Sequence, residues 1–340
     1  MVRPGLQSVQ REDFVFAGLL QPDTVIAVTD TQGIRGYDLR TASTSLELRP
    51  GGRVSGLASE EGRLVVSGER EVKVYDPRAG SDSPVMTLKD GRAKHYNCVT
   101  ARGELVVAGT EQIKDESFLV FWDLRQAGKL MGGYWETFND DITSLSFKPG
   151  PGDTLATGCT DGIVNILDLS ETDESEALVT SHNTQDSVAG VVWYSTSKTE
   201  DNLAIQTHTE SVQLWRTEEV TARQVLGREE VCHGIRRTCP DYTYIVGLHP
   251  HHQDGLTLLA GSRSQTSPCL RLARIRNRKV KPLSLLEGSR ALVTCSQAVS
   301  QSCLVTGDEE GGLWVWREQE GEQQQQKILS KISKSREKPY

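Results

Sequence analysis

Side chains that could carry out chemistry are sparse in this sequence of 340 residues. Thiol and imidazole groups, which are zinc ligands, gather in one stretch. The members of this stretch are Cys232, His233, Cys239, His249, His251 and His252. Their spacing matches no zinc template, so we predict no metal site. The sequence also lacks a phosphate-binding glycine loop, a nucleophile elbow and a zinc-protease motif. Paired carboxylates such as Asp140–Asp141 are typical of solvated turns, and we predict no catalytic residue and no cofactor.

Three arginines each stand three residues after an aromatic side chain, just past the end of a repeated apolar segment. The endings read YDLR, YDPR and WDLR, and their arginines are Arg40, Arg78 and Arg125. Guanidinium groups suit bidentate anchoring on carboxylates. If the three endings occupy equivalent turns, the arginines lie on one face and form a surface for a partner. The alternative is that each arginine only pairs with a local acid.

A second group of cations lies where the charge of the chain changes sign. The whole chain has a net charge of -8, unlike a general nucleic-acid binder. Residues 221–290 instead hold 12 basic and five acidic residues, a net charge of +7. The predicted basic patch comprises Arg271, Arg274, Arg276 and Arg278. It indicates contact with an acidic partner or RNA phosphates, or simply a charged edge strand that resists aggregation. Without an aromatic platform, sequence-specific RNA recognition is not expected.

The elements that would position these groups repeat along the chain. An apolar run ending in Gly or Thr recurs every ~46 residues, from VIAVT at 25–29 to LVTG at 304–307. A second run follows each one after a turn, from IRGYD at 34–38 to LWVWR at 313–317. Candidate strands precede and follow each pair. Seven units of four strands predict an all-β fold, a single seven-bladed β-propeller of four-stranded antiparallel blades. A β-sandwich or two all-β domains are the alternatives.

The predicted boundaries place the propeller in residues 1–317 and a basic tail in 318–340. The tail is rich in Gln and charge, so we expect it to be disordered, with RNA contact as one role. Blade 6, around 231–274, has the weakest pattern and no aromatic ending. The strand that closes the ring is expected either at 6–10 or beyond residue 317.

The Trp122–Asp123 ending and the strings AGTEQIKDESFLVFWDLR and CTDGIVNILDLSETDESEALVT resemble the WD-repeat family. The resemblance covers most of residues 13–317. It implies a non-enzymatic eukaryotic scaffold, with a link to ribosome assembly and a nuclear location. The Gly-His pair of regular WD repeats is absent, so the Asp–His–Ser–Trp hydrogen-bond network of each blade is expected to be incomplete. The W-D-x-R endings also resemble those of cullin-4 ubiquitin-ligase substrate receptors, which implies adaptor docking through Arg40, Arg78 and Arg125.

Loops that precede the first strands are expected to surround the mouth of the central channel, on the face opposite the three arginines. Loops presented by a rigid scaffold often bind partners. Trp135 is the expected anchor, with burial under a neighbouring blade as the alternative. The predicted residues of this face are Arg53, Lys94, His95, Trp135, Asp140, Asp141 and Asp186. A hydrolase with its site in the channel is the least favoured function.

Composition and hydropathy restrict the cellular location that we expect for the protein. There is no run of 18 apolar residues, and no membrane segment is expected. Seven scattered cysteines fit a reducing compartment. We therefore expect an intracellular protein of the nucleus or cytoplasm, monomeric within a larger complex, whose partners are other proteins.

Overall fold

The structure is a computed structural model in which the strands form seven antiparallel sheets, each one a blade. The described residues are 14–21, 23–29, 33–41, 43–195, 201–251, 255–264, 268–276, 279–288, 291–300 and 302–317. Blades 1 to 6 have four strands in chain order, and blade 7 has three among these residues. The predicted fold class is therefore confirmed.

The first four blades cover the N-terminal half of the chain. Blade 1 contains β1 (Phe14–Gln21), β2 (Thr24–Thr29), β3 (Ile34–Asp38) and β4 (Thr44–Leu48). Blade 2 contains β5 (Val54–Glu60), β6 (Arg63–Gly68), β7 (Val72–Tyr75) and β8 (Met86–Leu88). Blade 3 contains β9 (Tyr96–Arg102), β10 (Leu105–Thr110), β11 (Ser117–Asp123) and β12 (Lys129–Phe138). Blade 4 contains β13 (Ile142–Phe147), β14 (Thr154–Cys159), β15 (Ile163–Asp168), helix α1 (Glu174–Ala177) and β16 (Leu178–Asn183).

The last three blades include a second helix. Blade 5 contains β17 (Val188–Tyr194), β18 (Asn202–Thr207), β19 (Val212–Arg216) and β20 (Gln224–Leu226). Helix α2 (Arg228–Gly234) links it to blade 6, which contains β21 (Thr243–His251), β22 (Gly255–Ser262), β23 (Cys269–Arg276) and β24 (Lys279–Leu285). Blade 7 contains β25 (Val293–Ser300), β26 (Cys303–Asp308) and β27 (Leu313–Arg317). Short 3₁₀ turns span Pro77–Ala79, Leu124–Gln126 and Pro240–Tyr242.

The blades stack in a ring because their middle strands are apolar on both sides. Every residue of β11 is buried, although successive side chains of a strand point to opposite faces of the sheet. Its indole Trp122 is fully buried among residues of blades 2 and 3. Burial on both faces explains why the sequence shows continuous apolar runs rather than alternation.

First strands of neighbouring blades contact each other, so they are the innermost strands. The ring closes where β1 contacts β25 and β26. Both segments proposed from sequence as the closing strand, residues 6–10 and those beyond 317, lie outside the described residues, as does the tail at 318–340. Blade 6 is complete despite its weak pattern, and no helix of the described part of the chain is long and apolar enough to span a membrane.

Candidate partner-binding surfaces

The antiparallel order of the strands divides the connections between two faces. Turns between the third and fourth strands carry Arg40, Arg78 and Arg125, and we call their side the arginine face. Connections that enter the first strands carry Arg53 and Lys94 on the opposite side, and we call it the channel-mouth face. The opposition that we predicted between the two groups follows from this topology.

Two of the three arginines on the arginine face form a two-pronged ion pair with their own aspartate. The Nε and Nη2 atoms of Arg78 lie 2.9 Å from the two carboxylate oxygens of Asp76. The corresponding Arg125 atoms lie 3.0 Å from those of Asp123. These hydrogen bonds lower the pKa of Asp76 and of Asp123. The guanidinium groups are therefore held in a fixed orientation at equivalent turns.

Arg40 is held less firmly at the first turn of this series. Its backbone amide donates to Asp38 Oδ1 at 2.7 Å, but its Nη2 atom lies 4.0 Å from Asp38 Oδ2. Its Nε atom lies 3.5 Å from Asp23 Oδ2. The side chains of Arg40, Arg78 and Arg125 are still 70%, 60% and 73% exposed. Each arginine thus pairs with a local acid and remains accessible to a partner.

The predicted acids of the channel-mouth face take part in turn hydrogen bonds. Asp140 Oδ1 accepts from the amide of Asp141 at 2.8 Å, and Asp141 Oδ1 accepts from the amide of Gln112 at 2.6 Å. Asp186 accepts a hydrogen bond from the hydroxyl of Thr209. These hydrogen bonds hold the loops of blades 3 to 5 in place. They also explain the orientation of the three carboxylates as turn residues.

Predicted cations of the same face lie close together between blades 2 and 3. Arg53 and Lys94 are exposed and His95 is half-buried. Arg70 joins them, because its amide donates to the carbonyl oxygen of Lys94 at 3.1 Å. Arg70 was not among the residues predicted from the sequence. Its signal was an Arg in a turn between two repeated strands, where other turns of this chain place Gly, as in CTDG ending at Gly162.

The expected position of Trp135 in a loop was wrong. Trp135 lies within β12, the outer strand of blade 3, and is half-buried. Its ring stacks on Phe118, with centroids 6.3 Å apart and planes 28° apart, and the guanidinium of Arg92 lies 5.3 Å from its ring centre. The indole is therefore accounted for by contacts with its own blade and with the loop that joins blades 2 and 3, and its role in partner binding stays a prediction.

Only part of the predicted basic patch comes together. Cross-strand pairing sets Arg274 opposite Lys281 and Arg276 opposite Lys279, on one face of the β23–β24 hairpin. Arg271 lies three residues before Arg274, and therefore points to the other face of the strand. Arg278 lies outside the described residues. The hairpin carries like charges directly opposite each other, which is unfavourable in a sheet without a counterion.

The innermost strands offer little for catalysis. Their described charged residues are Glu60 and Arg102 at strand ends, together with histidines of β21. The Nε2 atom of His249 lies 2.9 Å from the hydroxyl of Ser296 in the next blade. A serine nucleophile needs its histidine oriented by a third group, usually a carboxylate. No hydrogen bond from His249 to a carboxylate is found in the described part of the chain. The described residues also contain no group of three side chains suited to a metal ion.

Comparisons with known proteins agree with a propeller of the WD-repeat type. No family model matches the chain. An uncharacterised WD repeat-containing protein of Schizosaccharomyces pombe is 29% identical over 115 residues, which is 34% of each chain. Another from Saccharomyces cerevisiae is 28% identical over 127 residues, 37% of this chain and 32% of the relative. The matched stretch thus spans about a third of each relative.

A solved structure extends the likeness of the fold to nearly the whole chain. The crystal structure of the computationally designed protein Ika8 superposes with a TM-score of 0.61. The match covers 92% of this chain and 99% of Ika8, at 14% sequence identity. At that identity the likeness concerns the fold alone. The seven blades and the WD-repeat relatives are together consistent with membership of the WD-repeat family.

Proposed function

We propose that this protein is a non-catalytic scaffold that binds protein partners through the loops of its propeller. The observation that carries the proposal is the ring of stacked blades, whose buried strands hold two sets of exposed charged loops in fixed positions. Rigid presentation reduces the loss of conformational freedom on binding. Among the described residues no carboxylate forms a hydrogen bond with His249 or Ser296, and a channel hydrolase is the weakest alternative.

More specifically, we propose a nuclear role for the scaffold in ribosome assembly. Its support is the resemblance of the repeat strings to the WD-repeat family. RNA contact would then fall to the cations of blade 6, where Arg276 and Lys279 are exposed and face each other across the hairpin. Such contact would bind phosphates without reading bases.

A cullin-4 substrate receptor is a second candidate function. The observation that favours it is the exposure of Arg40, Arg78 and Arg125 at equivalent turns of three consecutive blades. An adaptor would bind the arginine face by sharing each guanidinium with the aspartate that already orients it. This function and the assembly scaffold therefore predict different dependence on the three arginines.

Affinity purification with mass spectrometry tests both candidates. The bait forms are the intact chain, the triple variant Arg40→Ala, Arg78→Ala and Arg125→Ala, and a chain ending at residue 318. If the cullin-4 adaptor is recovered with the intact chain but not with the triple variant, the result supports the substrate-receptor function. Ribosome-assembly proteins that survive this variant support the scaffold. Recovery of no specific protein by the intact, folded chain would contradict the proposed function.

A further inference from the structure

We propose that Arg53, Arg70 and Lys94 form a binding site for a short acidic segment of a partner protein. The three belong to the loops of blades 2 and 3 on the channel-mouth face, and we call them the cation triad. This inference rests on the proposed scaffold function and assigns the chemistry of one of its partners. It concerns a different face from the arginine turns.

Backbone contacts bring the cation triad together. The carbonyl oxygen of Arg53 lies so close to Gly68 that a Cβ atom at position 68 would be only 2.5 Å from it. Gly68 ends β6, and Arg70 follows two residues later. Across the blade boundary, the amide of Arg70 donates to the Lys94 carbonyl at 3.1 Å, and Glu69 forms a β-bridge with His95. Residues 53, 70 and 94 thus share one continuous patch of surface.

Arg70 occupies a backbone conformation that favours glycine. Its φ angle is 58°, and in the turns between the second and third strands of blades 4 and 7 the left-handed positions are held by Gly162, with φ of 86°, and Gly311, with φ of 78°. Glu210 of blade 5 also has a positive φ of 65°. Its carboxylate, however, accepts a hydrogen bond from the amide of Ile245 at 2.6 Å, which explains its presence. Among the described residues, no hydrogen bond or ion pair of the Arg70 side chain gives a comparable reason for an arginine at this position.

The cation triad has few competing acids inside the described structure. No ion pair joins the side chains of Arg53, Arg70 or Lys94 to a described acid, and all three are exposed. Glu71, in the same turn as Arg70, is already bound by Lys73 at 2.8 Å and by Lys89 at 2.9 Å. Two exposed acids, Glu69 and Glu111, lie at the borders of the patch. The positive surface is therefore open to an external anion of limited length.

Charge on the rest of the face favours a short acidic peptide over a nucleic acid. Asp140, Asp141 and Asp186 lie on the same face in the loops that follow around the ring. An extended phosphate backbone leaving the triad in that direction would meet like charge. Carboxylates of a few residues can instead pair with two arginines and one lysine, and arginine binds them in bidentate geometry.

Fluorescence anisotropy with a fluorescein-labelled peptide of alternating Glu and Gly tests the proposal at low ionic strength. The variant carries Arg53→Gln, Arg70→Gly and Lys94→Gln. A control variant, Arg276→Gln with Lys279→Gln and Lys281→Gln, removes the same number of charges from blade 6. We expect saturable binding that weakens roughly tenfold or more in the triad variant and by less than about twofold in the control. The Gln counterpart of the peptide should not bind.

The single variant Arg70→Gly separates binding from folding. It relieves the left-handed conformation, so its melting temperature should equal or exceed that of the unaltered protein while peptide binding falls. Equal weakening in the blade 6 control, absence of saturable binding, or preference for an oligouridine RNA over the peptide would each overturn the proposal. If peptide binding fails while purification of the intact chain still recovers specific proteins, this inference falls and the scaffold function stands.

Discussion

The imidazole of His182 packs in a tilted arrangement against the indole of Trp215, with ring centroids 4.9 Å apart and an angle of 39° between the ring planes. His182 lies in the outer strand of blade 4 and Trp215 in the third strand of blade 5, so the pair joins two blades. Burial lowers the pKa of His182, and it lowers the pKa of His249 to about 4. Both rings are therefore neutral in the folded protein at neutral pH.

We expect the free energy of unfolding to fall as the pH drops below about 6.5, the ordinary pKa of histidine. In this range the unfolded chain binds more protons at His182 and His249 than the folded protein does, because burial lowers the pKa of both in the fold. The stabilising contribution of each histidine is complete above about pH 6.5 and declines as the pH falls. For His249 the decline continues to about pH 4 and amounts to roughly 3 kcal/mol. Urea unfolding across this range measures the effect.

The pH dependence should become smaller in His182→Phe and His249→Gln. Exposed His233 supplies the control, since His233→Gln should leave the dependence unchanged. An unfolding free energy of the unaltered protein that stays constant between neutral and mildly acidic pH would contradict the prediction.

Replacement of Trp122 should strongly destabilise blades 2 and 3. Trp122 is fully buried, and Tyr96 meets its ring edge-on at a centroid distance of 5.7 Å. Trp122→Ala should cost about 3 to 5 kcal/mol because it leaves a cavity in the core. Thermal unfolding followed by circular dichroism provides the measurement. Trp122→Phe should cost much less, because Nε1 of this indole has no hydrogen-bond partner among the described residues to lose. Equal melting temperatures for Trp122→Ala and the unaltered protein would show that this strand is not part of the core.

Glu174 should protect the outer edge of blade 3. Its carboxylate accepts hydrogen bonds from the amides of Trp135 and Glu136 at 2.8 Å and of Thr137 at 2.7 Å. We expect Glu174→Ala to cost about 1.5 to 3 kcal/mol, as for other hydrogen bonds to a charged group. Exposed edge amides also invite pairing with other chains, so the variant should aggregate sooner on heating.

Hydrogen exchange supplies the specific readout for Glu174. The amides of residues 135–137 should exchange faster in Glu174→Ala, while those of β10, which is paired with β9 and β11 on its two sides, stay protected. Glu176→Ala is the matched control, because Glu176 is exposed in the same helix and should change stability by less than about 0.5 kcal/mol. Unchanged exchange at 135–137 would refute the protective role.

Alkylation should distinguish the seven thiols, all of which are free. Burial raises the pKa of Cys98 to about 12 and also raises that of Cys159, so neither forms a thiolate readily. Iodoacetamide should modify exposed Cys239 first and reach Cys98 and Cys159 only after unfolding. Peptide mass spectrometry after timed labelling measures the order. Modification of Cys98 in the folded protein as fast as that of Cys239 would contradict the prediction.

The sequence by itself determined the repeating strands and the turn that carries each predicted arginine. A strand buried on both faces requires a run such as LVVAG, and its turns require Gly, Asp or Ser, so local composition was enough to predict the blades. The same register placed Arg40, Arg78 and Arg125 at equivalent turns. These are local properties, and they repeat often enough to be recognised in one sequence.

Only the tertiary structure decided which residues meet across blade boundaries. Arg70 and Lys94 become neighbours because blade 2 stacks on blade 3, and His249 reaches Ser296 because blade 6 stacks on blade 7. The left-handed backbone of Arg70 and the position of Trp135 within β12 depend on the exact register of a turn and a strand. A repeat period fixes neither, since contacts between blades join residues distant in sequence and are set by closure of the ring.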